Sequence, residues 1–258
     1  MTKPDAGSFE VKKGILLLRG IPIEHCDVIG EVGRGANGIV FETVNRLLDR
    51  REALKIWLRL RPRDTRNRIE QGMAEARQAS TAAPAHAAVI YHASIIGGVF
   101  YATMEFVDGF TLKSALDVMS RDRDDEGRPR WDEGCSRLNY ARAYIDALRA
   151  TSTECLLHGD PHWSNVILVP GDNKSSAESY ATAKLVDFGT SHFTVAGQFE
   201  ARHWRVVDQT LDRILEYLPD YRTIKERLAY RMGPMHPRKP DYFSELMLYM
   251  ADTLNKLE

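Results

Sequence analysis

The alternation of apolar and polar positions divides the chain into a strand-rich part and a helix-rich part. In the first part, short runs of apolar and β-branched residues are bounded by turn formers, a pattern that is typical of β-strands. The predicted strands are Ile15–Leu18, Cys26–Glu31, Gly38–Val44, Ala53–Leu58 and Val99–Phe106. One helix is expected among them, over Thr65–Ser80, because Ile69, Met73 and Ala76 recur at helical spacing.

From Thr111 onward the pattern changes to one that predicts helices, over Thr111–Met119, Cys135–Cys155, Arg205–Leu218 and Phe243–Leu257. A short hairpin is predicted from Val166–Val169 and Lys184–Val186, and the polar stretches Arg121–Gly134 and Pro170–Ala183 are predicted to be loops. We therefore expect an α+β protein with two domains. Residues 1–108 would form an antiparallel sheet with one helix, and residues 109–258 would be mostly helical.

Composition narrows the class of protein. With 43% hydrophobic and 28% charged residues, the 258-residue chain has the composition of an ordinary globular protein, and its formal net charge of -1 favours neither nucleic acid nor a membrane surface as a partner. The 3 cysteines lack the spacing of a zinc site or a disulfide framework, and no apolar run resembles a signal peptide or a membrane span. We expect a cytoplasmic protein, although an unconventional secretion signal would leave no such pattern.

Gly33–Val40 reads G-x-G-x-x-G-x-V, a pattern whose glycines let backbone N–H groups approach phosphate oxygens closely. In a dinucleotide fingerprint the glycines would open a helix. Here strand-like residues follow, so we predict a glycine loop between two antiparallel strands.

Lys55 lies inside an apolar strand, where a lysine needs a partner. Glu75 and Glu70 of the following helix are the candidates, and Glu75 is preferred.

The segment His158–Leu168 carries Asp160 and Asn165 on one loop that leads into an apolar strand. Asp160 could accept a proton from an attacking hydroxyl, and Asn165 could bind Mg²⁺ through its amide oxygen. Asp187 follows a second apolar strand and precedes Phe188-Gly189, a position suited to chelating a metal that bridges phosphates. The order and spacing of these groups after the glycine run predict a site for phosphates and a metal ion that bridges them.

These motifs resemble those of the protein-kinase-like superfamily, with a match from about Cys26 to Leu218. The resemblance implies a bilobal kinase fold, with ATP and Mg²⁺ as cofactors. It assigns Asp160 as catalytic base, Lys55 to the α- and β-phosphates and Asn165 and Asp187 to the metal. The positions that it assigns to the nucleotide are Gly33, Gly35, Gly38, Val40, Ala53, Lys55, Glu75, Met104 as gatekeeper, Glu105 and Val107 of the hinge, and Asp187.

Three features depart from regulated protein kinases. The catalytic loop reads HGD where those enzymes have HRD, His162 occupies a position that usually holds lysine, and the segment after Gly189 is short and lacks Ala-Pro-Glu. The pattern H-G-D-x-H-x-x-N is similar to that of aminoglycoside phosphotransferases and choline kinases. Asp208 is the expected helix aspartate that braces the catalytic loop.

We therefore predict transfer of the γ-phosphate of ATP to a hydroxyl, with an atypical, minimal Ser/Thr protein kinase of bacterial type as the first hypothesis. A kinase of small molecules such as aminoglycosides, choline-like alcohols or sugars is the alternative. A pseudokinase that only binds ligands is a third hypothesis, and the presence of Lys55, Asp160, Asn165 and Asp187 argues against it. The partners expected are ATP and a protein or small-molecule acceptor. The sequence does not address the oligomeric state.

Overall fold

The computed structural model describes residues 9–35, 37–58, 67–120, 131–153, 158–170, 182–188, 196–216 and 221–223. The chain divides into two compact units. The first consists of Met1–Pro84, Ala88–Val107 and Asp187–His192, and the second of Ala85–Ala87, Asp108–Val186 and Phe193–Glu258. The helix predicted over Phe243–Leu257 lies outside the described residues.

The first unit is built on a 7-stranded sheet in which every neighbouring pair of strands is antiparallel. Its strands are β1 (Phe9–Lys12), β2 (Ile15–Leu18), β3 (Ile21–Gly35), β4 (Gly38–Asn45), β5 (Arg50–Trp57), β6 (Ile90–Ile96) and β7 (Val99–Glu105). The spatial order is β1-β2-β3-β4-β5-β7-β6. The sequence pattern missed β1 and β6, because both expose several side chains and show little apolar periodicity.

The two faces of this sheet serve different purposes. One face supplies the buried core of the unit, which includes Ile39, Leu54, Ile56 and Tyr101. Strand residues alternate between faces, so the side chains next to these belong to the opposite face. There Trp57, Phe100 and Ala102 pack with residues of helix α1 (Arg68–Ser80). The sheet is therefore covered by helix α1 on the face that the core does not occupy.

Helix α1 starts later than predicted and lies very close to the sheet. Asn67 has an extended backbone, and its side chain accepts hydrogen bonds from the N–H groups of Ile69 and Glu70, so the helix begins after it rather than at Thr65. Gly72 allows the close approach, because a Cβ there would lie 2.3 Å from a ring carbon of Phe100.

The second unit combines helices with a 3-stranded antiparallel sheet of order β10-β9-β8. Its elements are β8 (Phe110–Thr111), α2 (Leu112–Met119), α3 (Trp131–Thr153), β9 (Val166–Val169), β10 (Thr182–Leu185) and α4 (Ala196–Leu215). Several boundaries were predicted wrongly. Residues 131–134 belong to α3 and Thr182 and Ala183 belong to β10 rather than to loops, and α4 spans Ala196–Leu215 rather than Arg205–Leu218.

The core of the second unit lies on the buried faces of α3 and α4 and on the short sheet. Tyr144, Ile145 and Leu148 of α3 are fully or almost fully buried, as are Val207 and Leu211 of α4. The prediction of an α+β fold with a sheet-rich first part and a mostly helical second part is confirmed. None of the helices in the described ranges is long and apolar enough to cross a membrane.

Candidate active site

The glycine run forms the turn between β3 and β4. Gly35 pairs with Gly38 in antiparallel register, which confirms the predicted loop between two strands and excludes the helix-opening arrangement of a dinucleotide fingerprint. Gly38 has a φ of 152°, and a Cβ on it would lie 1.9 Å from the carbonyl oxygen of Ile56. The fold itself therefore requires glycine at this position.

Gly33 and Gly35 differ from Gly38. A Cβ on Gly33 would have only Val40 within 4.0 Å, and one on Gly35 would meet nothing within 4 Å. Neither residue needs the positive φ that favours glycine. Packing within the described residues thus gives no reason for glycine at these two positions, and both leave open space beside the backbone.

The register of the strands brings several predicted positions onto one face of the sheet. Val40 pairs with Lys55, Ala53 pairs with Met104, and Gly33 pairs with Val40. Paired residues of antiparallel strands share a face, and so do residues two positions apart on one strand. These five residues therefore line the face opposite the buried core, the same face that α1 covers in part.

Lys55 is the centre of a buried polar cluster. Its ammonium nitrogen Nζ lies 2.7 Å from Oε2 of Glu75, and both side chains are less than a tenth exposed. Nζ also donates to Oδ1 of Asp187. Trp57 donates its indole N–H to the same Glu75 oxygen at 2.7 Å, and its ring lies 4.4 Å from Nζ. Glu70 is exposed in the first turn of α1, so Glu75 is the carboxylate that reaches Lys55.

The charges around Lys55 keep it protonated. Burial by itself would lower the pKa of Lys55, but the negative charges of Asp187 and Glu75 outweigh that effect, so the pKa is raised. Lys55 therefore carries a positive charge on the face to which Gly33 and Val40 of the glycine hairpin belong.

Asp187 combines exposure with an unusual backbone. Its side chain is 38% exposed, and its φ is 62°, in the left-handed region that a residue with a Cβ seldom adopts. Such a conformation costs about 1–3 kcal/mol and is found preferentially at functional sites. The exposed carboxylate can thus contact Lys55 and a ligand at the same time.

The loop that carries Asp160 and Asn165 belongs to the second unit. The Asn165 side-chain amide ties the loop together, because its Nδ2 donates to the backbone carbonyl of Asp160 at 2.9 Å. Trp163–Asn165 form a 3₁₀ turn, and the N–H of Asn165 donates to the carbonyl of His162 at 2.7 Å. This arrangement fixes which atom of the Asn165 amide faces the loop and leaves Oδ1 as the atom that could bind a metal.

Two buried histidines hold the backbone of this loop. His158 accepts the Asp160 N–H through Nδ1 and pairs through Nε2 with the carbonyl of Val186, so Nε2 carries the proton. His203 of α4 accepts the Gly159 N–H through Nδ1 at 3.2 Å. Burial is the main cause that lowers the pKa of His203 to about 3. The HGD loop thus depends on neutral imidazoles.

His203 is a functional candidate that the sequence motifs did not identify. The sequence feature that could have identified it is helical spacing, because His203 lies one turn before Val207 and two turns before Thr210 and Leu211 on the buried face of α4. Thr210 also contacts the loop, through a 3.4 Å hydrogen bond to the carbonyl of Pro161. Asp208, which we expected to brace the loop, lies on the same helix.

The cation beside the Asp160 carboxylate comes from α4 and not from the position of His162, which usually holds lysine. The His162 imidazole accepts the N–H of Ser164 and stacks on Trp163 with ring centroids 3.6 Å apart, and burial lowers its pKa. The cation that reaches the carboxylate is Arg202 of α4, whose Nη2 lies 3.4 Å from Oδ2 of Asp160. His162 is therefore a capping residue of the 3₁₀ turn.

The predicted hinge lies at the end of β7. Met104 is partly buried, Val107 is buried, and the N–H of Glu105 donates to the carbonyl of Val89 at 2.8 Å.

The predicted site residues divide between the two units, with Asp160 and Asn165 in the second and the others in the first. Thr190, Ser191 and Thr194, which follow Gly189 and are interpreted from the sequence as ordinary loop residues, lie outside the described residues. No cluster of His, Cys, Asp or Glu suited to a metal occurs in the described part of the chain.

Comparison with known proteins identifies the fold. No family model and no curated protein matches the chain. Among solved structures, a point mutant of the Mycobacterium tuberculosis PknI kinase domain is 15% identical, with a TM-score of 0.58 over 88% of this chain and 96% of that one. The unmutated PknI kinase domain is 17% identical, with a TM-score of 0.56 over 91% and 97%. The chain therefore has a protein-kinase-like fold.

Proposed function

We propose that the chain is an ATP-dependent phosphotransferase that moves the γ-phosphate to a hydroxyl group. The observation that carries the proposal is the buried Lys55–Glu75 pair, which also contacts Asp187. A protonated lysine held between two carboxylates, on the face that carries the glycine hairpin, is suited to binding the phosphates of a nucleotide.

The open backbone at Gly33 and Gly35 supports a phosphate site. Packing within the described residues does not require glycine at either position, and a Cβ there would occupy space beside the hairpin backbone. Glycine at such positions allows backbone N–H groups to approach phosphate oxygens. Val40, Ala53 and Met104 share this face and would contact the adenine end, with the Glu105–Val107 backbone as the hinge.

The residues present fit Mg²⁺. This ion prefers oxygen ligands, and Asp187 and Asn165 offer an exposed carboxylate and an oriented amide oxygen. In the proposed reaction they would hold Mg²⁺, which neutralises phosphate charge when bound. Asp187 would exchange part of its contact with Lys55 for the metal, and Lys55 would then turn toward the phosphates.

Asp160 is the proposed general base. Its side chain is 28% exposed, so an acceptor hydroxyl can reach it, and its backbone is fixed by His158 and Asn165. The carboxylate would orient the hydroxyl and take its proton as the oxygen attacks the γ-phosphorus, while the bond from that phosphorus to the β–γ bridging oxygen breaks and ADP leaves. Positioning and charge neutralisation would supply most of the rate, because little covalent help is needed in phosphoryl transfer.

For the acceptor we propose a Ser or Thr hydroxyl of a protein, as in an atypical, minimal protein kinase. A small-molecule hydroxyl is the alternative, and the catalytic loop favours it. His162 stacks on Trp163 and caps a turn, so this position carries no mobile cation of the kind that a lysine would provide.

The proposal is tested by incubating the chain with labelled Mg-ATP and a lysate separated into protein and metabolite pools, followed by mass spectrometry of the products. Asp160→Asn should abolish labelling, whereas Asp117→Asn, a change at an exposed carboxylate of α2, should not. Labelled protein supports the first acceptor and labelled metabolite the second. Mg-ATP binding without a labelled product would indicate the pseudokinase, and the absence of binding would refute the proposal.

A further inference from the structure

Helix α1 buries a row of polar side chains on the face that packs against the sheet. Arg68, Gln71 and Glu75 follow one another at intervals of three and four residues, so they lie on one side of the helix. Their exposed fractions are only 5%, 1% and 4%. Arginine and glutamate are seldom buried to this extent unless they are paired, so this row needs a specific explanation.

Hydrogen bonds join this row into a chain. Nη1 of Arg68 donates to Oε1 of Gln71 at 2.5 Å, and Nε2 of Gln71 donates to Oε1 of Glu75 at 2.8 Å. The other Glu75 oxygen accepts from Lys55 at 2.7 Å. At the opposite end, Nη1 of Arg68 donates to Oδ1 of Asn37, at 3.2 Å. The chain of bonds therefore runs from the glycine hairpin, which contains Asn37, to the proposed phosphate-binding lysine.

Gln71 fits between Arg68 and Glu75 because its amide has a hydrogen-bond acceptor at one atom and a donor at the other. The amide oxygen accepts from the guanidinium of Arg68, and the amide nitrogen donates to the carboxylate of Glu75. A glutamate at this position would place a second carboxylate against Glu75, and an apolar side chain would break the chain of bonds. An amide is the group that satisfies both neighbours.

We propose that Arg68 and Gln71 are positioning residues for the nucleotide, and that they tie Asn37 of the glycine hairpin to the Lys55–Glu75 pair. This inference rests on the proposed function, since the nucleotide is the ligand whose phosphates the hairpin and Lys55 would both contact. The link holds the hairpin in place before the nucleotide arrives, so binding loses less conformational entropy.

The first test changes Asn37, which lies at the end of the chain of bonds and is not fully buried. Asn37→Ala should raise the Kd for Mg-ATP about three- to tenfold, the range expected for the loss of one such hydrogen bond. The thermal unfolding midpoint without nucleotide should fall only by the small amount expected for one lost hydrogen bond. Asn37→Gln should bind more like the wild type, because it keeps a neutral amide oxygen that can accept from the same guanidinium without placing a negative charge beside the phosphates. Unchanged binding in Asn37→Ala, or equal weakening in both variants, would overturn the proposal.

The second test asks whether the effect runs through the helix. Gln71→Met keeps the side-chain length and removes the amide, and Glu70→Gln is the control at an exposed position of the same helix. If the chain of bonds acts as a unit, the double variant Asn37→Ala/Gln71→Met should weaken binding by less than the product of the two single effects. A simple product would show two independent contacts and contradict the proposed link.

Amide hydrogen exchange separates this inference from the proposed function. In the nucleotide-free protein, Asn37→Ala should speed exchange at the amides of the Gly33–Gly38 hairpin, whereas Glu70→Gln should not. If the wild type bound no Mg-ATP, the proposed function would fail, yet faster exchange in Asn37→Ala would still support the link. Unchanged exchange would refute the link even in an active enzyme.

Discussion

The Lys55 cluster of the first unit and the Asp160 loop of the second unit hold their functional groups in opposite ways. In the cluster, the functional side chains contact each other directly, because the buried Lys55 and Glu75 form an ion pair. In the loop, His158 and His203 accept hydrogen bonds from backbone N–H groups and Asn165 donates one to a backbone carbonyl, while the Asp160 carboxylate is partly exposed beside Arg202. Changes in the cluster should therefore alter stability and binding together, whereas Asp160 can be changed with little effect on stability.

The largest effect is expected at Asp160. Asp160→Asn should reduce turnover about 10²- to 10⁴-fold, the usual contribution of a general base, because the amide cannot take the proton. Binding of Mg-ATP and the unfolding midpoint should change little, since among the described residues the carboxylate makes one long contact, with Arg202. Steady-state kinetics together with calorimetric titration of Mg-ATP would check this. Retained turnover would remove Asp160 from the mechanism.

At Lys55 the expected effect is on stability as well as on activity. Lys55→Met should destabilise the fold by about 3 kcal/mol, because it leaves the buried carboxylate of Glu75 without its ammonium partner. The free energy of unfolding in urea would measure this. The double variant Lys55→Met/Glu75→Gln should recover part of the lost stability, and failure to recover any would mean that the pair is not the source of the effect.

Acid should weaken the second unit through His203. The pKa of its folded form is about 3, below the unfolded value of about 6.5, so only the unfolded chain takes up the proton between these values. The contribution of His203 to stability is complete above pH 6.5 and is lost as the pH falls toward 3. Between pH 7 and pH 5 we expect a loss of about 2 kcal/mol. Urea unfolding at several pH values would measure it, and His203→Gln should lose less stability over the same range.

The smallest expected effect concerns Tyr144. Its hydroxyl donates to the carbonyl of Pro161 at 2.7 Å, next to the proposed base. Tyr144→Phe should lower the free energy of unfolding by about 1 kcal/mol, the net value of one hydrogen bond. Turnover should fall a few-fold, with the KM for ATP unchanged, because the loop and not the nucleotide site is loosened. An altered KM without altered turnover would be inconsistent with this role.

Much of the fold and of the candidate site was predictable because it depends on local patterns. The strands β2, β4, β5 and β7 follow apolar runs that have clear ends, and their observed bounds lie close to the predicted ones. Helix ends were predicted less well. The start of α1 depends on the cap formed by Asn67, and the start of α4 precedes its clearest apolar stretch.

By itself, the sequence determined the chemical groups of the candidate site. The glycine run, the lysine inside a strand, and the Asp160–Asn165 and Asp187 motifs can be identified from residue type and spacing. Residue type and hydrophobic periodicity are local properties of the sequence. These features can therefore be identified without information about tertiary contacts. The α+β fold followed from the same information.

Only the tertiary structure decided which side chains meet. The register of α1 against the sheet selects Glu75 rather than Glu70 as the partner of Lys55, and it brings Arg68 to Asn37. The packing of α4 in the second unit makes His203 a contact of the HGD loop. Such pairings join residues far apart in the chain, and whether they form depends on the burial of whole faces rather than on any local pattern.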